Sequence, residues 1–128
     1  MALKDTLRVM VVDDMSVSRG LLTQALEEMG LWKFQTESAG QAALNKIVAN
    51  PVHLVLADYN MPGMNGLQLL EALRSNRTTQ GVGFILVTGS PTKEVMDRGR
   101  ALGLNNLVKK PFTTASLKAS IEQVVGRL

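Results

Sequence analysis

The sequence predicts an α/β fold in which a five-stranded parallel sheet carries helices on both faces. Three observations lead there. Short apolar runs alternate five times with helical patterns, turn signals separate them, and chemically active side chains sit where the runs end. The runs cover residues 9–12, 34–37, 52–57, 84–87 and 107–109. The first, third and fourth are nearly continuous Val, Leu, Ile, Met and Phe, as expected of strands covered on both faces. The second and fifth contain Gln35, Thr36, Glu37 and Lys109, and are polar enough for sheet edges. With right-handed crossovers, 2-1-3-4-5 is the simplest order.

The helices between them carry start and stop signals. Ser16 is placed as the cap of a first helix that carries Val17, Leu21, Ala25 and Met29 on one face and stops at Gly30. Ser38 with Gln41 reads as a capping box for the second. Pro91 suits the first turn of the fourth and Gly103 its stop. Leu117, Ile121, Val124 and Leu128 form the apolar stripe of the fifth, which reads as core packing. The result is a flavodoxin-like (βα)5 three-layer sandwich. Its ligand crevice lies where the winding reverses, between strands one and three. Asp13, Asp14 and Asp58 fall there.

Length and composition bound the rest. The 128 residues fit a single domain, 1–128, able to bury a core without staples. No run approaches the roughly 20 apolar residues of a membrane span, and the first seven residues lack the apolar stretch of a secretory signal. The absence of cysteine excludes a disulfide framework, a thiolate metal site and a thiol nucleophile, and is compatible with a cytoplasmic protein. The net charge of +3 is unevenly spread, with Lys93, Arg98, Arg100, Lys109, Lys110, Lys118 and Arg127 crowding the C-terminal part. That bias favours an acidic protein partner. Nucleic acid is not expected, because Trp32, Phe34, Tyr59, Phe84 and Phe112 do not interleave with the basic residues as a stacking platform would.

Asp13, Asp14, Asp58, Thr88 and Lys110 each follow or end an apolar run, so a parallel sheet gathers all five at one edge. Three crowded carboxylates repel one another unless a cation sits among them. Mg2+ suits an all-oxygen site, with Asp14 and Asp58 as ligands, Asp13 acting through water and the Asn60 carbonyl completing the protein set. A hydroxyl and an ammonium beside such a metal point to phosphoryl chemistry with Asp58 as the acceptor. Thr88 would bond one phosphoryl oxygen and Lys110 pair with another. His53 reads as a structural or surface imidazole, Trp32 as packing, and Met61 and Met64 as loop packing.

On these residues, and on the 58–66 loop with its Asn, Pro and Gly, the chain resembles the receiver domain of two-component response regulators. Within that family it looks like the stand-alone chemotaxis type, CheY-like, from about residue 8 to residue 127. The resemblance implies Asp58 as the phosphorylated aspartate, Asp13 and Asp14 as the acidic pair with Asp14 a direct Mg2+ ligand, Thr88 as the switch hydroxyl and Lys110 as the phosphate-pairing lysine. It also implies a cis bond between Lys110 and Pro111. The expected partners are a sensor histidine kinase as phosphodonor and an output protein bound at the helix 4, strand 5, helix 5 face. The protein is expected to be a monomer and to catalyse only its own phosphorylation and dephosphorylation. One departure is visible: motor-binding chemotaxis receivers have a Tyr or Phe three residues before the lysine, and here that position is Leu107. The departure raises the standing of a phosphate sink for a shared kinase. An aspartyl-phosphate phosphatase of haloacid dehalogenase type would want an Asp at Asn60. A flavin or nucleotide module would want Gly, Ser or Thr where Asp13 and Asp14 stand.

Overall fold

Period-two alternation along the central strands sends side chains into two separate cores, one on each face of the sheet. The computed structural model describes residues 3–128. A 3-10 turn at Leu3–Asp5 precedes β1 (Val9–Val12), α1 (Ser16–Glu28), β2 (Phe34–Glu37), α2 (Gly40–Ala49), β3 (Leu54–Asp58), α3 (Gly66–Arg74), β4 (Gly83–Thr88), α4 (Lys93–Ala101), β5 (Asn106–Lys109) and α5 (Thr114–Val125). The sheet is parallel throughout in the order β2-β1-β3-β4-β5, as the sequence predicts, with β2 and β5 at the edges.

Met10, Val12, Val55, Ala57, Phe84 and Leu86 pack on one face against Ala43 and Ile47 of α2, Leu67, Leu70 and Leu73 of α3, and Val95 of α4. Val9, Val11, Leu54, Leu56, Ile85 and Val87 pack on the other against Leu22 and Leu26 of α1 and Leu117 and Ile121 of α5. Each fully buried aliphatic or aromatic side chain contributes roughly 1.5–3 kcal/mol, so the strands and helices stabilise one another through these two layers.

The same parity fixes where the strand ends aim. Asp13 and Asp58 continue the series Val9, Val11 and Leu54, Leu56, toward α1 and α5. Thr88 continues Phe84 and Leu86, toward α2, α3 and α4. Asp58 lies in register with Val87, and Thr88 with Lys109, so all these groups reach the same end of the sheet.

Several local expectations are corrected. The buried stripe of α1 is Leu22, Ala25, Leu26 and Met29, at helical spacing i, i+3, i+4 and i+7, whereas Val17 and Leu21 are 74% and 54% exposed. The helix carries two adjacent apolar stripes, and only one fits the core. Trp32, expected to pack, is 68% exposed. Ser16 is the first helical residue, not the cap, a position held by Met15. Ser38 and Gln41 form no capping box: Ala39 occupies the cap of α2 without a side-chain bond. The reciprocal boxes are Asn65 with Gln68 on α3 and Thr113 with Ser116 on α5. Pro91 precedes the Thr92 cap of α4 instead of lying in its first turn. Gly30 and Gly103 do stop α1 and α4, with φ of 85° and 83° that favour glycine. Val52 and His53 lie outside β3, where the His53 Nδ1 accepts the Arg8 N–H at 2.9 Å. Met61 is buried in the first core and Met64 packs against it, as expected.

A polar clamp holds α3 to the opposite end of the sheet. The Arg74 guanidinium donates to the carbonyls of Gln80, Val82 and Gly103 and to Asn105 Oδ1, which also accepts the Phe84 N–H. Among the described residues no helix is long and apolar enough to cross a membrane.

Gly66, the first residue of α3, sits against the backbone of the phosphoacceptor candidate. A Cβ there would lie 2.5 Å from the Asp58 carbonyl oxygen and 2.6 Å from Leu86 Cδ1. Strand backbone cannot give way as a side-chain tip can, so Gly66→Ala is expected to destabilise by about 1–3 kcal/mol in urea unfolding. Gly81→Ala, where nothing lies within 4 Å of the added atom, is expected to be neutral or to stabilise by up to about 1 kcal/mol. Equal effects at the two positions would contradict the close approach of α3 to β3.

Candidate functional site

Asp13 extends β1 by one ladder bond, its N–H donating to the Glu37 carbonyl at 3.1 Å, and this draws its side chain fully out of solvent. A buried carboxylate is costly unless each oxygen is satisfied. Oδ1 accepts the Met15 N–H at 3.0 Å; Oδ2 accepts the Ser18 hydroxyl at 2.5 Å and the Lys110 ammonium at 3.3 Å. The Asp13 carbonyl in turn accepts Arg19 Nη1 at 2.7 Å. The entry to α1 is thus organised by Asp13 and not by a Ser16 cap.

Asp14, next along, is exposed and makes no hydrogen bond or ion pair among the described residues. Asp58 ends β3 and is 6% exposed. Its Oδ1 lies 3.3 Å from Lys110 Nζ. Burial pushes its carboxyl above the usual range; Lys110 opposes that rise, while Asp13 and Asp14 add to it. Asp13, Asp14 and Asp58 each bring one carboxylate oxygen within 4.8 Å of the others. Lys110 arrives from the end of β5, where its N–H donates to the Thr88 carbonyl at 2.8 Å and a cis bond joins it to Pro111.

The remaining candidates lie around this cluster. Thr88 is fully buried at the end of β4, on the α4 side of the sheet, and its hydroxyl accepts the Ser90 N–H at 3.1 Å. Asn60 is exposed on the loop after β3, in a recess with Tyr59, Met61, Pro62 and Asn65. Leu107 is half-buried on β5 and packs against the core beneath α4. The sequence reading missed Ser18 and Arg19. The available signal was their place in the first turn of the helix that starts three residues after Asp13, within reach of its carboxylate and carbonyl.

Chemically, three carboxylates lie close together and one ammonium pairs with two of them, Asp13 and Asp58; the all-oxygen donor set suits a hard divalent cation such as Mg2+. Asp14, with both oxygens free of protein partners, is the acid best able to enter a coordination sphere. Asp13, with both oxygens engaged, is not. Beside the cluster, Met15, Val17, Leu21 and Phe112 line a groove of about 510 Å³ whose wall includes Lys110.

Comparison with known proteins agrees with this geometry. Residues 9–122 match the family model for the response regulator receiver domain. The chain is 37% identical to the probable chemotaxis protein CheY of Rhizobium etli, over 100% of this chain and 99% of that protein. Chemotaxis protein CheY4 of Vibrio cholerae superposes with a TM-score of 0.86 at 25% identity, over 92% of this chain and 98% of that one. The receiver domain of a sensor histidine kinase from Pseudomonas aeruginosa shares the fold, with a TM-score of 0.85 at 19% identity over 94% and 98% of the two chains. That structure is described with a magnesium ion coordinated in its active-site cleft. The chain belongs to the response regulator receiver domain family and is of the CheY type.

Proposed function

We propose that this protein is a phosphorylation switch in which Asp58 accepts a phosphoryl group from a histidine kinase. The observation that carries this reading is the buried Asp58 carboxylate at a strand end, 3.3 Å from an ammonium and within 4.8 Å of two further acids. An Asp58 oxygen forms the new bond to phosphorus as the bond from phosphorus to the donor's imidazole nitrogen breaks. Water later attacks the phosphorus, releasing phosphate and the carboxylate. Asp14, Asp58 and the Asn60 carbonyl would hold Mg2+, with Asp13 reaching it through water. Bound there, the metal neutralises charge on the transferred group and aligns it. Lys110 then pairs with one phosphoryl oxygen. Thr88 turns its hydroxyl toward another and so reports the event to the α4 side of the sheet.

The donor approaches over the groove beside the site. Met15, Val17 and Leu21 are exposed apolar side chains of the α1 segment, continuous with Lys110 and Phe112, and a protein-borne phosphohistidine must come this close to reach Asp58. The output partner binds the α4, β5, α5 face, where Arg98, Lys109 and Lys118 supply positive charge. Leu107 favours a second reading, a phosphate sink. It occupies the position where an aromatic ring would swing inward, and leucine has neither the volume nor the plane to do so.

Five outcomes are expected. Acetyl phosphate with Mg2+ adds the mass of one phosphate to the wild type and none to Asp58→Asn; labelling of that variant would refute Asp58 as acceptor. At ten times its dissociation constant Mg2+ stabilises the protein by about 1.4 kcal/mol in thermal unfolding. Asp14→Asn weakens Mg2+ binding by about 10–100-fold and Asp13→Asn by less, measured by calorimetry. Leu21→Glu leaves labelling by acetyl phosphate within about twofold of wild type but slows transfer from the cognate kinase at least about tenfold, as burying an unpaired charge at an interface requires. With beryllofluoride, Leu107→Tyr enlarges the shifts of β5 and α4 amide signals relative to wild type. Identical shifts in the two proteins would remove the support that Leu107 gives to the sink.

A further inference from the structure

Ser18 is the third residue of α1, and its hydroxyl is the shortest contact of the Lys110 ammonium. Nζ lies 2.7 Å from Ser18 Oγ, against 3.3 Å from Asp13 Oδ2 and 3.3 Å from Asp58 Oδ1. A hydroxyl offers one proton and two lone pairs. Here the proton goes to Asp13 Oδ2 at 2.5 Å and a lone pair faces the ammonium, so one side chain joins the acid of β1 to the lysine of β5. Ser18 stands in the first turn of α1, with its hydroxyl turned toward the site.

We infer that Ser18 is a positioning residue for phosphoryl transfer, whose hydroxyl fixes the Lys110 ammonium between Asp13 and Asp58. A lysine is a mobile point charge on a four-carbon stem, and without a neutral acceptor its ammonium would settle wholly against the carboxylates. Ser18 occupies one of its three N–H bonds. The two that remain face Asp13 and Asp58, and the second is the one an incoming phosphoryl oxygen takes over. The hydroxyl also completes the set of donors on Asp13. Because Ser18 belongs to α1, the helix beside the donor groove is tied directly to the charge state of the acceptor.

The inference rests on Asp58 being the phosphoacceptor, and the test separates the two. Ser18→Thr and Ser18→Val have nearly the same shape and differ in the hydroxyl; Ser18→Ala removes it with little effect on the helix. Beryllofluoride, an acyl-phosphate mimic, probes the site without a kinase. A hydrogen bond to a charged group justifies an expected loss of about tenfold in beryllofluoride affinity for the Val and Ala variants, with Thr within about twofold of wild type. Mg2+ affinity stays within about twofold in all of them, as it would not if the site had collapsed. In the unphosphorylated protein the Lys110 ammonium gives a slowly exchanging nitrogen-detected NMR signal in the wild type and Thr variant, lost in Val and Ala. Equal affinity and equal ammonium signals for Thr and Val would overturn the proposal. If the ammonium signals follow the hydroxyl while the wild type takes up no beryllofluoride, the tether stands and the phosphoacceptor reading fails.

Discussion

Lys110 holds its ammonium 3.3 Å from both Asp13 and Asp58, and the end of the sheet is arranged around that pair of contacts. Two carboxylates removed from water are tolerated because a cation faces both and a hydroxyl and a backbone amide also donate to Asp13. Asp58 has fewer partners than Asp13, and burial holds its proton more tightly than in an unfolded chain. Below the unfolded carboxyl range both states carry the proton and there is no penalty. As pH rises through that range and past the raised folded value, Asp58 must ionise in place, and the metal-free fold carries the full penalty. On the proposed function, a divalent cation held by Asp14 and Asp58 would offset it. The cost of ionising Asp58 in place would then favour the cation-bound site.

Much of this was legible in the sequence because it depends on period and topology. Continuous apolar runs marked β1, β3 and β4 as central, and polar runs marked β2 and β5 as edges, as the sheet order shows. Strand ends in a parallel sheet converge, so Asp13, Asp58, Thr88 and Lys110 could be placed together without coordinates. Helix orientation was harder to read. The α1 sequence has two apolar stripes, and choosing between Leu21 and Leu22 requires the angle at which the helix meets the sheet, which the Asp13 bonds to Met15, Ser18 and Arg19 set. Capping failed for a related reason. Ser16 and Ser38 are chemically suited to caps, but the chain passes Met15 and Ala39 through those positions, while Asn65 and Thr113 make the boxes.

The misread stripe of α1 also carries functional information. Val17 and Leu21 are not core residues on a poorly fitted helix; Leu22, Leu26 and Met29 already fill that space. Their exposure leaves an apolar surface contiguous with Lys110 and Phe112, at the mouth of the acidic cluster. On the proposed function, this patch is where the phosphodonor would come to the site.

Strand parity divides the labour of the two faces. Asp13, Asp58 and the Lys110 ammonium meet on the α1 and α5 side, where Ser18 joins them, whereas Thr88 and Leu107 lie on the side covered by α4. A phosphoryl group on Asp58 would stand at the sheet edge between the two, within reach of Lys110 on one side and of the Thr88 hydroxyl on the other. At present that hydroxyl is held by the Ser90 amide, at the start of the loop into α4. Turning it toward Asp58 breaks a bond that fixes this loop, so the proposed output signal begins as the exchange of one hydrogen bond for another. How far it travels depends on what can fill the space Thr88 leaves. Leu107, already packed against the core with Leu104, gains little by moving. An equilibrium shifts only as far as the two states differ in contact energy, so on the proposed function the two faces would be coupled through the α4 loop more than through β5.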